Sequence, residues 1–202
     1  MINTNYYMPT HAKTKIILGL VGEIASGKDT VADYLKKKYK SETVSFSQPL
    51  RDMLNLIGLE QSRINLSNLG RILRKQFGQD ILSRAMAVKV DLSKAPIITL
   101  PNVRLEEDII WLKKLPGFYL VHIDTDTKIR FERLKKRKGQ YVDDATKTWA
   151  QFQKDSRLYT ERNIRSLFPK CKLKLNNNGS KQELYRQIDE LAKKLKLKKA
   201  SR

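Results

Sequence analysis

The run Gly22-Glu-Ile-Ala-Ser-Gly27-Lys28-Asp29-Thr30 carries the residue types and spacing best suited to chemistry in this chain. Glycine at 22 and 27 lets the backbone curl, so that successive N–H groups, those of Ala25 and Ser26 among them, face one anion. A helix starting near Lys28 adds its positive end to the same point. Lys28 places a compact, strongly hydrated charge there. The chemistry is capture of a polyphosphate, with Lys28 on the β- and γ-phosphates and the glycines, Ala25, Ser26, Asp29 and Thr30 around them. In loops of this spacing the position after the lysine carries a hydroxyl for Mg2+. Here Asp29 stands there and the hydroxyl comes one residue later, at Thr30.

Such a loop works only between a strand and a helix, and the flanking sequence supplies both. Residues 16–21 form a continuous apolar run that stops at Gly22, and residues 30–39 carry Val31, Tyr34 and Leu35 at helical spacing. Further short apolar runs at 44–46, 97–100, 118–123 and 173–175 suit strands buried on both faces of a parallel sheet. Amphipathic stretches at 49–57, 66–77, 80–89, 105–115, 128–137 and 146–164 read as helices, several in succession between the second and third strands. That succession exceeds a simple crossover and implies an inserted helical lobe. Ser180 with Glu183 three residues on is a capping box, after which Leu184, Ile188, Leu191 and Leu195 line one helical face.

The chain has 41 Lys and Arg against 21 Asp and Glu, a formal charge of +20 that favours anionic partners: nucleotides, nucleic acid or acidic lipid. Seven of the cations lie between Lys128 and Lys138. A single cysteine, Cys171, excludes an intrachain disulfide and a thiolate metal cage. The two histidines, His11 and His122, have no metal-ligand spacing, and His122 within 118–123 reads as a strand residue. No apolar run reaches the length of a membrane span. A polar N-terminus without a signal-peptide core makes the cytoplasm the expected compartment.

The Gly27-Lys-Asp-Thr30 sequence resembles the P-loop of small-molecule kinases related to nucleoside and deoxynucleoside monophosphate kinases. The likeness continues through Ser45-Phe-Ser-Gln-Pro-Leu-Arg51, through Leu69-Gly-Arg-Ile-Leu-Arg-Lys-Gln-Phe-Gly78 with Asp80-Ile-Leu, and through Arg130-Phe-Glu-Arg133-Leu-Lys-Lys-Arg137. Asn176-Asn-Asn-Gly-Ser180-Lys-Gln-Glu-Leu is similar to the Asn-rich turn and last helix of dephospho-CoA kinase and its relatives. The resemblance spans about Lys15 to Leu195. It implies an α/β, three-layer P-loop NTPase fold: a five-stranded parallel sheet, an inserted helical acceptor-binding lobe and an arginine-rich lid. One domain is expected over 1–202, with its core at about 15–46, 96–127 and 165–197. The lobe falls at about 47–95, the lid at about 128–160 and a basic tail at 196–202.

It further implies ATP and Mg2+, with a nucleoside or deoxynucleoside monophosphate as the expected acceptor. Arg51, Arg71, Arg74 and Arg104 are candidates for the acceptor's phosphate, with Arg104 just past the third strand, where ligand crevices open. Lys28, Arg104, Arg133 and Arg137 are the candidate catalytic cations. Arg130, Arg133 and Arg137 share one helical side, and Asp155 is available to orient one of them. Asn177 and Asn178 would present amide groups to a purine. Relatives carry an acid at the end of the third strand, but Leu100-Pro101-Asn102-Val103-Arg104 has none. Asp29 is therefore the candidate metal carboxylate, with Asp52 next. Three rival readings are a dephospho-CoA kinase, a nucleotide-binding protein without kinase activity, and a basic nucleic-acid-binding protein. Nucleic acid is the least expected partner, because Phe131 alone interleaves with the basic run and no stacking platform is evident; no membrane partner is expected.

Overall fold

The apolar run ahead of the glycine loop forms β1 (Ile16–Val21) and lies at the middle of the sheet. Its residues alternate between two cores, as the two-residue period of a strand requires. Ile17 and Val21 face one, and Leu18 and Leu20 face the other, all four fully buried. The computed structural model describes residues 15–136, 146–157 and 159–198. Besides β1 the strands are β2 (Glu42–Thr43), β3 (Ile97–Leu100), β4 (Phe118–Asp124) and β5 (Leu173–Asn176). Their order is β2-β3-β1-β4-β5 and every pairing is parallel. Because β2 and β3 lie on one side of β1 and β4 and β5 on the other, the connections diverge at its carboxyl end. In open parallel sheets that divergence is where ligands bind.

The helices are α1 (Lys28–Tyr39), α2 (Gln48–Leu56), α3 (Arg63–Phe77), α4 (Ile81–Leu92), α5 (Thr127–Lys135), α6 (Trp149–Asp155), α7 (Tyr159–Ser166) and α8 (Lys181–Lys194). One face of the sheet is covered by α1 and α8 through Val31, Leu35, Leu184 and Ile188. The opposite face is covered by α4 through Leu82, Met86 and Val90, together with Ile109, Leu112, Ile164 and Leu167. The three layers expected from the sequence are thereby present. Of the helices inserted between β2 and β3, α4 belongs to the core, whereas α3 contributes only partly buried Leu66, Leu69 and Leu73.

Three elements differ from the sequence reading. The second strand is Glu42–Thr43 rather than 44–46. Val44 still donates to the Thr99 carbonyl at 2.9 Å, but Val44 and Phe46 are buried beneath the inserted helices as the chain turns into α2. Residues 105–115 form two 3-10 turns, Glu107–Ile109 and Leu112–Lys114, instead of one helix. The Asp108 carboxylate there takes the N–H groups of Arg104 and Leu105, both at 3.0 Å, and bends the chain. The stretch 146–164 divides into α6 and α7. A reciprocal capping box starts α6, in which the Thr148 hydroxyl takes the Gln151 N–H and the Gln151 side chain takes the Thr148 N–H.

The helix that follows the glycine loop is tied to the last helix by a polar clamp. Asp189 on α8 accepts from Lys38 Nζ at 2.7 Å, from Tyr39 Oη at 2.8 Å and from Tyr34 Oη at 3.0 Å. Tyr34 also stacks on Tyr185, ring centroids 4.1 Å apart. The start of α8 is set by the expected capping box, with the Ser180 hydroxyl accepting the Glu183 N–H and Glu183 accepting the Ser180 N–H. Burial raises the Asp189 carboxyl pKa, yet the bonds from Lys38, Tyr39 and Tyr34 outweigh it and hold the group below its ordinary range. A depressed folded-state pKa contributes stability above the ordinary aspartate value, and that stability is lost as pH falls through the depressed one. We expect Asp189→Asn to cost about 1–2 kcal/mol at pH 7, with the gap between variant and parent closing below pH ~4. Urea unfolding across pH 3–8 checks both.

Candidate active site

The loop between β1 and α1 curls at Ala25, with φ 60°, and at Gly27, with φ 97°. Gly22 is not left-handed, so the expectation that both glycines supply the curl is corrected. A side chain at 22 fails for a different reason: its Cβ would lie 2.5 Å from Ser26 Oγ and 2.9 Å from the Ile123 carbonyl. At Gly27 a Cβ would collide with the Asn177 amide as well as strain the backbone. Lys28 Nζ donates to the carbonyls of Gly22 at 2.6 Å and Glu23 at 3.0 Å, which sets its charge at the mouth of the loop. Burial, then the nearby Arg104 cation, push its pKa down to about 8, while Glu161 and Asp29 act in the opposite sense.

The carbonyl side of the loop is bolted from β4, β5 and α5. The Ser26 carbonyl accepts from Asn177 Nδ2 at 2.7 Å and from Thr125 Oγ1 at 3.0 Å. Asn177 is 5% exposed, and its N–H reaches the Asp124 carbonyl at 2.8 Å. Its amide therefore holds the loop rather than facing a purine edge. Asn178 is similarly engaged: its Oδ1 accepts the Asp126 N–H at 2.7 Å. Arg133 reaches Asn177 Oδ1 at 3.4 Å from Nη2, while its Nη1 is buried with no hydrogen-bond partner among the described residues. Arg137 lies outside the described residues. Asp155 pairs with Lys147 at 2.8 Å and not with an arginine of α5.

Sequence reasoning undervalued Arg130. It is 1% exposed and donates to the carbonyls of Thr125 at 3.2 Å and Ile24 at 3.5 Å. Its guanidinium also pairs with Glu23 at 3.0 Å. Glu23 in turn accepts from Arg165 of α7 at 2.9 Å from Nε and 2.6 Å from Nη2. Glu161, also on α7, takes the Ile24 N–H at 3.3 Å. Glu161 and Arg165 are 137 and 142 residues from their loop partners. No local pattern could have signalled either one.

On the opposite wall, Arg104 projects from the segment after β3 and is exposed, yet close enough to Lys28 to depress its pKa. Arg74 lies 3.8 Å from the buried Asp108, and its Nε has no hydrogen-bond partner among the described residues. Arg71 is exposed on the same helix, and Arg51 reaches Gln61 Oε1 at 3.4 Å. Asp29 is exposed in the first turn of α1, and Thr30 is half-buried beside it. Asp52 is occupied on the inserted helices by Gln48 at 2.7 Å and Lys89 at 3.7 Å. Among the described residues no group of three His, Cys, Asp or Glu side chains converges as a metal cage. The oxygen donors near the loop fit a hard cation carried chiefly by phosphate and water.

This sheet order, with a curled glycine loop and lysine at the end of the central strand, defines a three-layer P-loop NTPase fold. Among solved structures the chain is similar to a shikimate kinase from Bacteroides thetaiotaomicron, with a TM-score of 0.57 at 11% identity, covering 90% of this chain and 99% of that one. A gluconokinase from Sinorhizobium meliloti gives a TM-score of 0.52 at 13% identity, covering 91% and 96%. In sequence the chain is similar to a UPF0200 protein of Thermococcus gammatolerans, 28% identical over 185 residues that cover 89% of this chain and 94% of that protein. No family model matches. No helix among the described residues is long and apolar enough to cross a membrane.

The lowered pKa of Lys28 makes a specific titration visible. Phosphates seated in the loop stabilise the ammonium form and raise that pKa. At pH about 8.5 we expect ATP binding to take up a substantial fraction of a proton per site, and at pH 6.5 Lys28 to contribute none. Calorimetry in buffers of different ionisation enthalpy measures it, and Lys28→Met should abolish the difference.

Proposed function

We propose that the chain is an ATP-dependent small-molecule kinase that transfers the γ-phosphoryl group to a nucleoside or deoxynucleoside monophosphate. The observation that carries this reading is the Lys28 ammonium at the mouth of the curled loop, with Arg104 acting on it from across the crevice. Phosphoryl transfer needs chiefly two anions held in line and their developing charge neutralised. In this reading the loop amides of Ala25 and Gly27 hold the donor phosphates, whereas the Ser26 N–H, expected from the sequence to join them, donates to the Glu23 carbonyl at 3.1 Å. Lys28 bridges the β- and γ-positions, and Asp29 and Thr30 lie on the metal's side. Mg2+ would neutralise donor charge when bound.

In this reading Arg104 and Arg74 meet the acceptor's phosphate, with Arg51 and Arg71 further out on a lobe at about 47–95. The Nε of Arg74, without a hydrogen-bond partner among the described residues, supports an anion-binding role for that residue. Arg133 and Arg137 are assigned to closure over the transferred group, within a lid at about 128–160, and the buried Nη1 of Arg133, without a hydrogen-bond partner among the described residues, is consistent with that task. Asn177 acts by holding the loop. A second reading, with dephospho-CoA as acceptor, rests on the Asn176–Asn178 turn and the capped start of α8. The likeness to structures named as kinases of other small molecules supports the reaction type and leaves the acceptor to experiment.

ADP release from ATP should be measured against a panel of nucleoside monophosphates, their deoxy forms and dephospho-CoA. We expect one acceptor class to stimulate release, and Lys28→Ala to lower that rate by roughly 10²-fold or more, as for loss of one preorganised electrostatic donor. Tight ATP binding with no stimulation by any acceptor would instead assign a nucleotide-binding protein without transfer activity.

A further inference from the structure

Residues 100–104 at the end of β3 offer no acid, but a carboxylate reaches the loop from elsewhere. Glu161 Oε2 accepts the Ile24 N–H at 3.3 Å, so it stands at the backbone donors proposed to receive phosphate. Its helix is no loose arm. Ile164 on α7 is 2% exposed, and Leu167 just beyond it is fully buried, both packed in the core that includes β1 and α4. Arg165 fastens the same helix to Glu23, and Arg130 holds Glu23 from beneath. The Glu161 side chain is half-buried and acts electrostatically on both Lys28 and Arg130.

A fixed negative charge beside an anion site has a definite consequence. It repels a bare polyphosphate and tolerates one whose charge a divalent cation has partly neutralised. Asp29, Thr30 and Glu161 are all oxygen donors, and Mg2+ characteristically binds through one or two carboxylates together with phosphate and water. We infer that Glu161 couples nucleotide binding to the divalent cation: it discriminates against metal-free nucleotide and admits the metal complex, the task for which Asp29 was the sequence candidate. This rests on the reading of the loop as an ATP site.

ATP affinity should be measured by calorimetry with EDTA and with saturating Mg2+, in the parent protein and in Glu161→Gln. Glutamine keeps an oxygen for the Ile24 N–H and removes only the charge, and thermal unfolding verifies that the variant folds. We expect the parent to prefer Mg2+-ATP about tenfold or more. In Glu161→Gln, metal-free ATP should bind several-fold tighter and the preference should shrink to about threefold or less. Glu161→Asp, which retains the charge, should keep most of the preference. Equal tightening in both conditions would make Glu161 a simple plug of the loop and overturn the inference, as would an unchanged preference or its loss in Glu161→Asp. A parent that binds Mg2+-ATP with no preference over metal-free ATP overturns the inference alone. A parent that binds no ATP in either condition overturns the nucleotide reading and the inference together.

Discussion

A loop that curls tightly between a strand and a helix turns its carbonyls toward the protein, and each buried one must find a donor. Most of the site follows from this constraint. The carbonyls of Gly22 and Glu23 are taken by Lys28, that of Ile24 by Arg130, that of Ser26 by Asn177 and Thr125, and that of Gly27 by the N–H of Val31. The donors come from α1, the end of β4, α5 and the turn after β5. The loop is thus held by the elements that meet at the carboxyl edge of the sheet.

The same arrangement sets the electrostatics. Burial lowers the pKa of both Lys28 and Arg130; the Arg104 and Arg130 cations add to that effect at Lys28, and the Arg165 cation adds to it at Arg130. Glu23, Glu161 and Asp29 oppose that effect from within the loop, from α7 and from the first turn of α1. The large net positive charge of the chain therefore gives a poor picture of the site. Locally, acids and bases are interleaved, and an anion at this loop would meet that balance rather than the overall charge.

The core shows how the helices are held to that edge. Alternate residues of β1 face opposite layers, so the strand that leads into the loop is gripped on both sides. The Asp189 clamp aligns α1 with α8, and through the capped Ser180 it connects the loop to the Asn176–Asn178 turn. The inserted helices are less uniform. α4 completes a layer, while α2 and α3 leave Leu56, Ile57 and Ile64 largely exposed.

Information of short range along the chain was legible in the sequence. The strand–glycine loop–lysine–helix unit, the five parallel strands and the Ser180 capping box each depend on residues a few positions apart, where periodicity and turn chemistry act directly. The division of 146–164 into two helices and the replacement of a helix at 105–115 by 3-10 turns were not legible, because helical propensity is a weak prior that packing overrides. Tertiary structure alone decided that Asn177 holds the loop, that Arg130 rather than Arg133 is the buried arginine beneath it, and that α7 brings Glu161 and Arg165 to Ile24 and Glu23. Those contacts join residues more than a hundred positions apart, except for the contacts of Arg130 within its own helix turn. Their partners are chosen by where the strands end in space, and spacing along the chain carries no record of that.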